Sequence, residues 1–146
     1  MVATCPGFKI GETGPAGGVV IYVSNGTGSH GIERSKSYIG YAPWGCAGAY
    51  IGGTSDAFGT GQANTNAILA GCNEPNIAAK IADDYSLNGF DNWYLPSKAE
   101  SEYGNLDGLM SSSEINGNNA WVRSQGDWRP NSPKNSSEHV YAIRNY

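Results

Sequence analysis

Residues 88–102, NGFDNWYLPSKAESE, restrict the possible folds more than any other stretch of this chain. Asn88-Gly89 is a turn pair that tolerates positive φ, and the bulky Trp93, Tyr94 and Leu95 after it read as a short buried strand stopped by Pro96. Ser97 stands where a helix N-cap belongs, with Glu100 three residues on at the spacing of a capping box. Turn, strand, abrupt stop and capped helix therefore follow one another without a spacer.

The other elements can be placed around it. Residues 19–23 (VVIYV), bounded by glycines and by Ser24-Asn25-Gly26, predict a central strand buried on both faces. Residues 30–41 read as a strand and an exposed loop. Residues 44–61 are Gly, Ala, Ser and Thr with isolated Trp44, Tyr50 and Phe58, which predicts a long loop packed by its own large side chains. Ala63, Ala67, Ile68 and Ala70 allow a short helix closed by Gly71. A second helix is expected over 74–85, with Pro75 in its first turn and Ile77, Ala78, Ile81, Ala82 and Tyr85 on one stripe. Asp83 and Asp84 oppose the dipole at its end, and they suit solvated carboxylates better than a cation site. Strands are expected at 109–114, after the Asn116-Gly117 hairpin signal at 120–123, and at 140–144, with a polar loop over 124–139. The sum is a single α+β domain over 1–146, mostly antiparallel β with two or three short helices and long loops.

Composition removes several function classes. Charged residues are 15% of the chain, against about a quarter in an average globular protein, and the 21 glycines point to turns and polar loops, a pattern common in secreted or surface-displayed domains. A net charge of −4 argues against nucleic-acid binding. The longest apolar run is five residues, far short of a membrane span. Residues 2–9 contain Pro6 and Gly7 and no apolar core of a signal peptide, so an excised domain or a phage product is expected. Gly14-Pro15-Ala16-Gly17 does not repeat as a collagen triplet would, although a collagen stalk could precede the domain.

The Trp-x-Leu-Pro-Ser grammar of Trp93 to Ser97 resembles the C-terminal domain family of the Legionella collagen-like adhesin, a bacterial and phage domain related to C-type-lectin-like folds. Further segments match in the same order: residues 10–23, His30-Gly31-Ile32-Glu33, Trp44-Gly45-Cys46, 59–72, 77–93 and 111–121. The chain departs from the family in a trimmed section after Gly104 and in Met110 where Trp is usual. The resemblance implies a C-type-lectin-like fold, attachment to sulfated glycosaminoglycans, and display as a homotrimer on a collagen-like stalk or at a phage fibre tip. Cys46 and Cys72, in Gly-rich flanks of the first helix, are expected to pair in an oxidising compartment, two buried free thiols being the alternative. Cys5 is left over.

Catalysis finds little support in the residues. His30 and His139 accompany no nucleophile motif, no carboxylate pair stands out among thirteen acids, and no cysteine or histidine cluster has metal spacing. Gly14, Gly17 and Gly18 lead into a strand without a Lys-Ser pair, unlike a phosphate loop. The superfamily also holds a sulfatase-activating oxidase whose Leu-Pro-Thr resembles Leu95-Pro96-Ser97. Its copper chemistry uses paired cysteines near the C-terminus, and no cysteine follows Cys72 here. No enzyme and no cofactor is therefore expected.

Binding is favoured instead, in the late loop. Arg123, Arg129, Lys134 and Arg144 outnumber Asp127 and Glu138 and stand among Trp121, Trp128 and Tyr141. Guanidinium groups grip sulfate and carboxylate, while aromatic faces cover sugar rings. The candidate ligand-binding residues are Arg123, Asp127, Trp128, Arg129, Lys134, Asn118 and Asn119. Trp121 and Tyr141 are expected to be inward-facing core. The expected partner is an anionic polysaccharide or host-cell receptor at a bacterial cell surface or virion fibre tip. A neutral polysaccharide or protein receptor, and a purely structural trimerising cap, are the alternatives.

Overall fold

A computed structural model describes residues 7–106 and 108–146; Cys5 lies outside the described residues. Among the described residues, eight strands and two α-helices make an α+β fold. The predicted first strand forms as β1 (Val19–Val23) and pairs with β2 (Gly31–Arg34), which pairs with the last strand, β8 (Ile143–Asn145), all antiparallel. β1 is thus an edge strand of a three-stranded sheet, not a central one. The turn before it shields only its first half, where the Gly11 amide donates to the Val20 carbonyl and the Val20 amide to that of Glu12.

A second sheet has the order β3-β7-β4-β5-β6, from β3 (Gly40–Pro43), β7 (Ser137–Val140), β4 (Leu109–Glu114), β5 (Ala120–Ser124) and β6 (Asp127–Arg129). The segment expected as one closing strand over 140–144 is divided between the sheets. β7 ends at Val140, the chain crosses at Tyr141 and Ala142, and β8 completes the first sheet. The stretch expected as a loop over 124–139 contains β6 and most of β7.

Helix α1 (Gly61–Gly71) forms where Gly71 was expected to close it, but it buries a polar face. Asn64 bonds the Ser55 backbone and the Ser112 hydroxyl, and the Thr65 hydroxyl accepts from the Leu95 amide. Helix α2 (Ala78–Asp84) is shorter than expected. Ile77 is still extended, so Pro75 falls in the preceding turn, outside the helix. Asp84 meets Lys80 in an exposed i,i+4 pair. Cys46 and Cys72 form a disulfide that ties the long loop to the end of α1. A bridge across a loop of that length is worth about 3 kcal/mol.

Trp93, Tyr94 and Leu95 are buried as expected, yet only Tyr94 pairs with a strand, bridging Ile143. The capping box closes: the Glu100 amide donates to the Ser97 hydroxyl at 3.2 Å and the Ser97 amide to Glu100 Oε1 at 3.0 Å. It opens a 3-10 helix, Glu100–Asn105. The Asn88-Gly89 turn also forms, with φ of 52° and 84°.

The loop over residues 44–60 is held only in part by its own aromatic residues. Trp44 is buried in the core and Phe58, 41% exposed, packs on Tyr22 and Tyr103, whereas Tyr50 is 71% exposed. Glu114 anchors the loop by accepting the amides of Ile51 and Gly52, and Lys134 does so by donating to the Ala49 carbonyl. Lys134 and Glu114 are themselves a fully buried ion pair, with the ammonium 4.4 Å from the Trp44 ring centroid.

Two stability predictions follow from these contacts. Replacing Lys134 with Met leaves the Glu114 carboxylate buried and uncompensated, so urea unfolding should show a loss of roughly 3–5 kcal/mol, with partial recovery when Glu114→Gln is added. Tyr94 has its phenol pKa raised by burial first and by Glu100 second. The fold thus favours the neutral phenol, and its contribution is intact below the unfolded value of about 10 and declines above it, by about 1.4 kcal/mol per pH unit. Urea midpoints followed upward from pH 9 should fall less steeply for Tyr94→Phe than for the parent chain.

Candidate functional site

The Gln125-Gly126 step turns the chain from β5 into β6. Their φ values of 53° and 78° make a two-residue turn with the twist a tight hairpin requires, and glycine takes the second position without strain. The register pairs Val122 with Arg129, Arg123 with Trp128 and Ser124 with Asp127. Because side chains alternate along a strand, Trp121, Arg123 and Trp128 share one face, while Asp127 and Arg129 lie on the opposite face with the core residue Val122. The hairpin therefore separates the residues expected to act together. Asp127 and Arg129 are exposed, Arg123 and Trp128 half-buried.

On the first face the two indoles meet edge to face, 6.4 Å between centroids. Lys98 Nζ stands 3.9 Å from the Trp121 centroid and 5.6 Å from that of Trp128. The Trp128 indole N–H donates to Glu102 at 3.1 Å, and Arg123 donates to the Ser101 carbonyl. Lys98, Ser101 and Glu102 all come from the capped turn after Pro96, so the segment that organises the fold also forms one wall of this face. Trp121, expected in the core, is half-buried and stands in the site; Tyr141 is half-buried too, beneath Arg34 and beside Tyr38.

Four expected contributors are elsewhere. Lys134 is fully buried against Glu114 and offers no atom to a ligand. Arg144 is buried, donating to Glu33 at 2.6 Å and to Asn92, with its guanidinium over the Phe90 ring. The positive balance of the late segment is thus cut by two carboxylates from distant parts of the chain. Asn118 and Asn119 sit at the far end of β5, about 17 and about 14 Å from Arg123 along the strand. Their amides are taken by Asn116 Oδ1, making them turn residues of the β4–β5 hairpin.

A second aromatic group lies at the other edge of the sheet. Tyr38 stacks on His139 at 4.0 Å, and Tyr41, 66% exposed, stands tilted against the same imidazole at 5.1 Å. Tyr41, His139, Leu109, Arg123 and Trp128 form one row across the strands. Leu109 is buried at its centre, so the aromatic ends are two separate surfaces.

Lys98 and Glu102 were missed from sequence because nothing local connects them to Trp121 and Trp128. Only the packing of the 3-10 helix against the hairpin does so. The strand periodicity of 120–124 and the Gln-Gly turn were signals that could have revealed the split of the hairpin faces. No protein-family model matches this chain, and no curated protein matches it.

Proposed function

We propose that this protein is a non-enzymatic, surface-displayed adhesion domain of the collagen-like adhesin type with a C-type-lectin-like fold, which binds an acidic glycan on the hairpin face. The observation that carries this reading is the Lys98 ammonium above Trp121, next to Trp128 and Arg123, at the open edge of the sheet. A sulfate or carboxylate is received by Lys98 and Arg123 while the sugar ring covers indole carbon. Arg129 supports the same chain from the other side of the edge strand. With Lys134 and Arg144 paired internally, and Glu102 and Asp127 near the cations, the footprint is a short acidic unit, not a long polyanion track. An extracellular setting, at a bacterial cell surface or a virion fibre tip, suits the disulfide. No helix among the described residues is long and apolar enough to cross a membrane.

The near balance of charge on the hairpin favours a second reading, a host receptor that is a protein or neutral polysaccharide held mainly by the two tryptophans. In either case the resemblance to the adhesin family implies display as a homotrimeric tip.

Retention on a heparin column separates the two. The acidic-glycan reading expects retention that falls with added salt and is lost in the Lys98→Ala, Arg123→Ala, Arg129→Ala triple variant. Absence of retention, or retention indifferent to salt, overturns it. Host-cell binding that survives high salt and disappears with Trp128→Ala supports the second reading.

A further inference from the structure

An open cleft of about 280 Å³ lies at the end of the three-stranded sheet and shares no lining residue with the hairpin face. Its walls are three aromatic rings from separate parts of the chain, Tyr22 on β1, Phe58 on the long loop and Tyr146 after β8. Tyr22, Phe58 and Tyr103 brace one another at 4.8–5.3 Å. Tyr146 makes an edge contact with Phe8 at 5.4 Å. A Cβ at Gly31 would stand 2.1 Å from the Tyr22 carbonyl oxygen and 2.7 Å from the Tyr146 phenol oxygen, so glycine there serves the close approach of β1 first and leaves room for the phenol second.

The polar rim is formed by Ser24, His30 and Asn145, and no lysine, arginine, aspartate or glutamate lines the cleft. Ser24 and His30 use their donors on the protein, and Asn145 uses one of its two. The Ser24 hydroxyl donates to the His30 carbonyl, Asn145 Nδ2 donates to the Tyr94 hydroxyl, and His30 Nδ1 faces the Tyr146 carbonyl at 3.3 Å, which selects the tautomer protonated there. Ser24 Oγ, Asn145 Oδ1 and His30 Nε2 remain as acceptors. A cleft with aromatic walls and an uncharged polar rim offers an anion no lysine or arginine to pair with. It suits a ring with carbon–hydrogen faces and several hydroxyl donors.

We propose that this cleft is a second binding site, for one uncharged sugar unit, distinct in chemistry from the cationic hairpin face. The ring lies against Phe58 and Tyr146, and its hydroxyls donate to Ser24, Asn145 and His30.

The probes are methyl glycosides of glucose, galactose, mannose and N-acetylglucosamine, titrated into the isotope-labelled chain and followed by amide chemical shifts. At least one should perturb residues 30–32, 58 and 145–146 saturably in the millimolar range, with no change at high salt. Phe58→Ala should weaken that binding about fivefold, with the ligand-free spectrum changed only around its ring neighbours Tyr22 and Tyr103. Asn145→Asp, which keeps the acceptor and loses the donor to Tyr94, should still bind. Arg123→Ala with Arg129→Ala should leave the titration unchanged, so this site stands or falls independently of the hairpin. No perturbation by any of the four, shifts confined to β5 and β6, or full affinity in Phe58→Ala overturns the proposal.

Discussion

Three glutamates with buried side chains hold this fold together, each bonded to backbone amides of a loop or of a helix start. Glu33 accepts the amides of Ala16 and Gly18 and pairs with Arg144. Glu100 accepts those of Gly61 and Ser97 and the Tyr94 hydroxyl. Glu114 accepts those of Ile51 and Gly52 and pairs with Lys134. A carboxylate in a protein interior is tolerated only when its oxygens are bonded, and an irregular loop is tolerated only when its amides are. Here each requirement meets the other. A chain with few charges and many glycines uses its few interior charges as loop anchors.

The same logic explains how two sheets share one chain end. β7 pairs in the larger sheet and β8 in the smaller, and the crossing at Tyr141 and Ala142 is stabilised on both sides. The Ser35 amide donates to the Ala142 carbonyl, and Arg144 meets Glu33 one strand away. Tyr94 bridges Ile143 and donates to Glu100, which joins the Pro96-stopped segment to the same crossing. The central stretch and the chain end are thus one packed unit, with Trp93 and Leu95 in one hydrophobic cluster and Tyr94 and Ile143 in the other.

Much of the local grammar was legible. The Asn88-Gly89 turn, the Ser97–Glu100 box, α1, β4, β5 and the disulfide follow from spacing and residue type, because each depends on contacts within a few residues or on side chains with one dominant use. Charge was not legible in the same way. Lys134 and Arg144 read as surface cations beside Arg123 and Arg129, but their partners Glu114 and Glu33 lie 20 and 111 residues away. The placement of β1 at an edge and the division of residues 140–144 between sheets were also hidden, since an apolar run does not disclose how many neighbours its strand will have.

The sequence by itself determined where the chain turns, stops and caps, and which side chains are bulky enough to form a core, because those are properties of short segments. Only the tertiary structure decided which cations remain at the surface, that Trp128 and Arg129 face opposite ways, and that Lys98 joins the indoles. Those outcomes depend on strand register and on which distant carboxylate reaches a buried amine, and neither is encoded in local spacing.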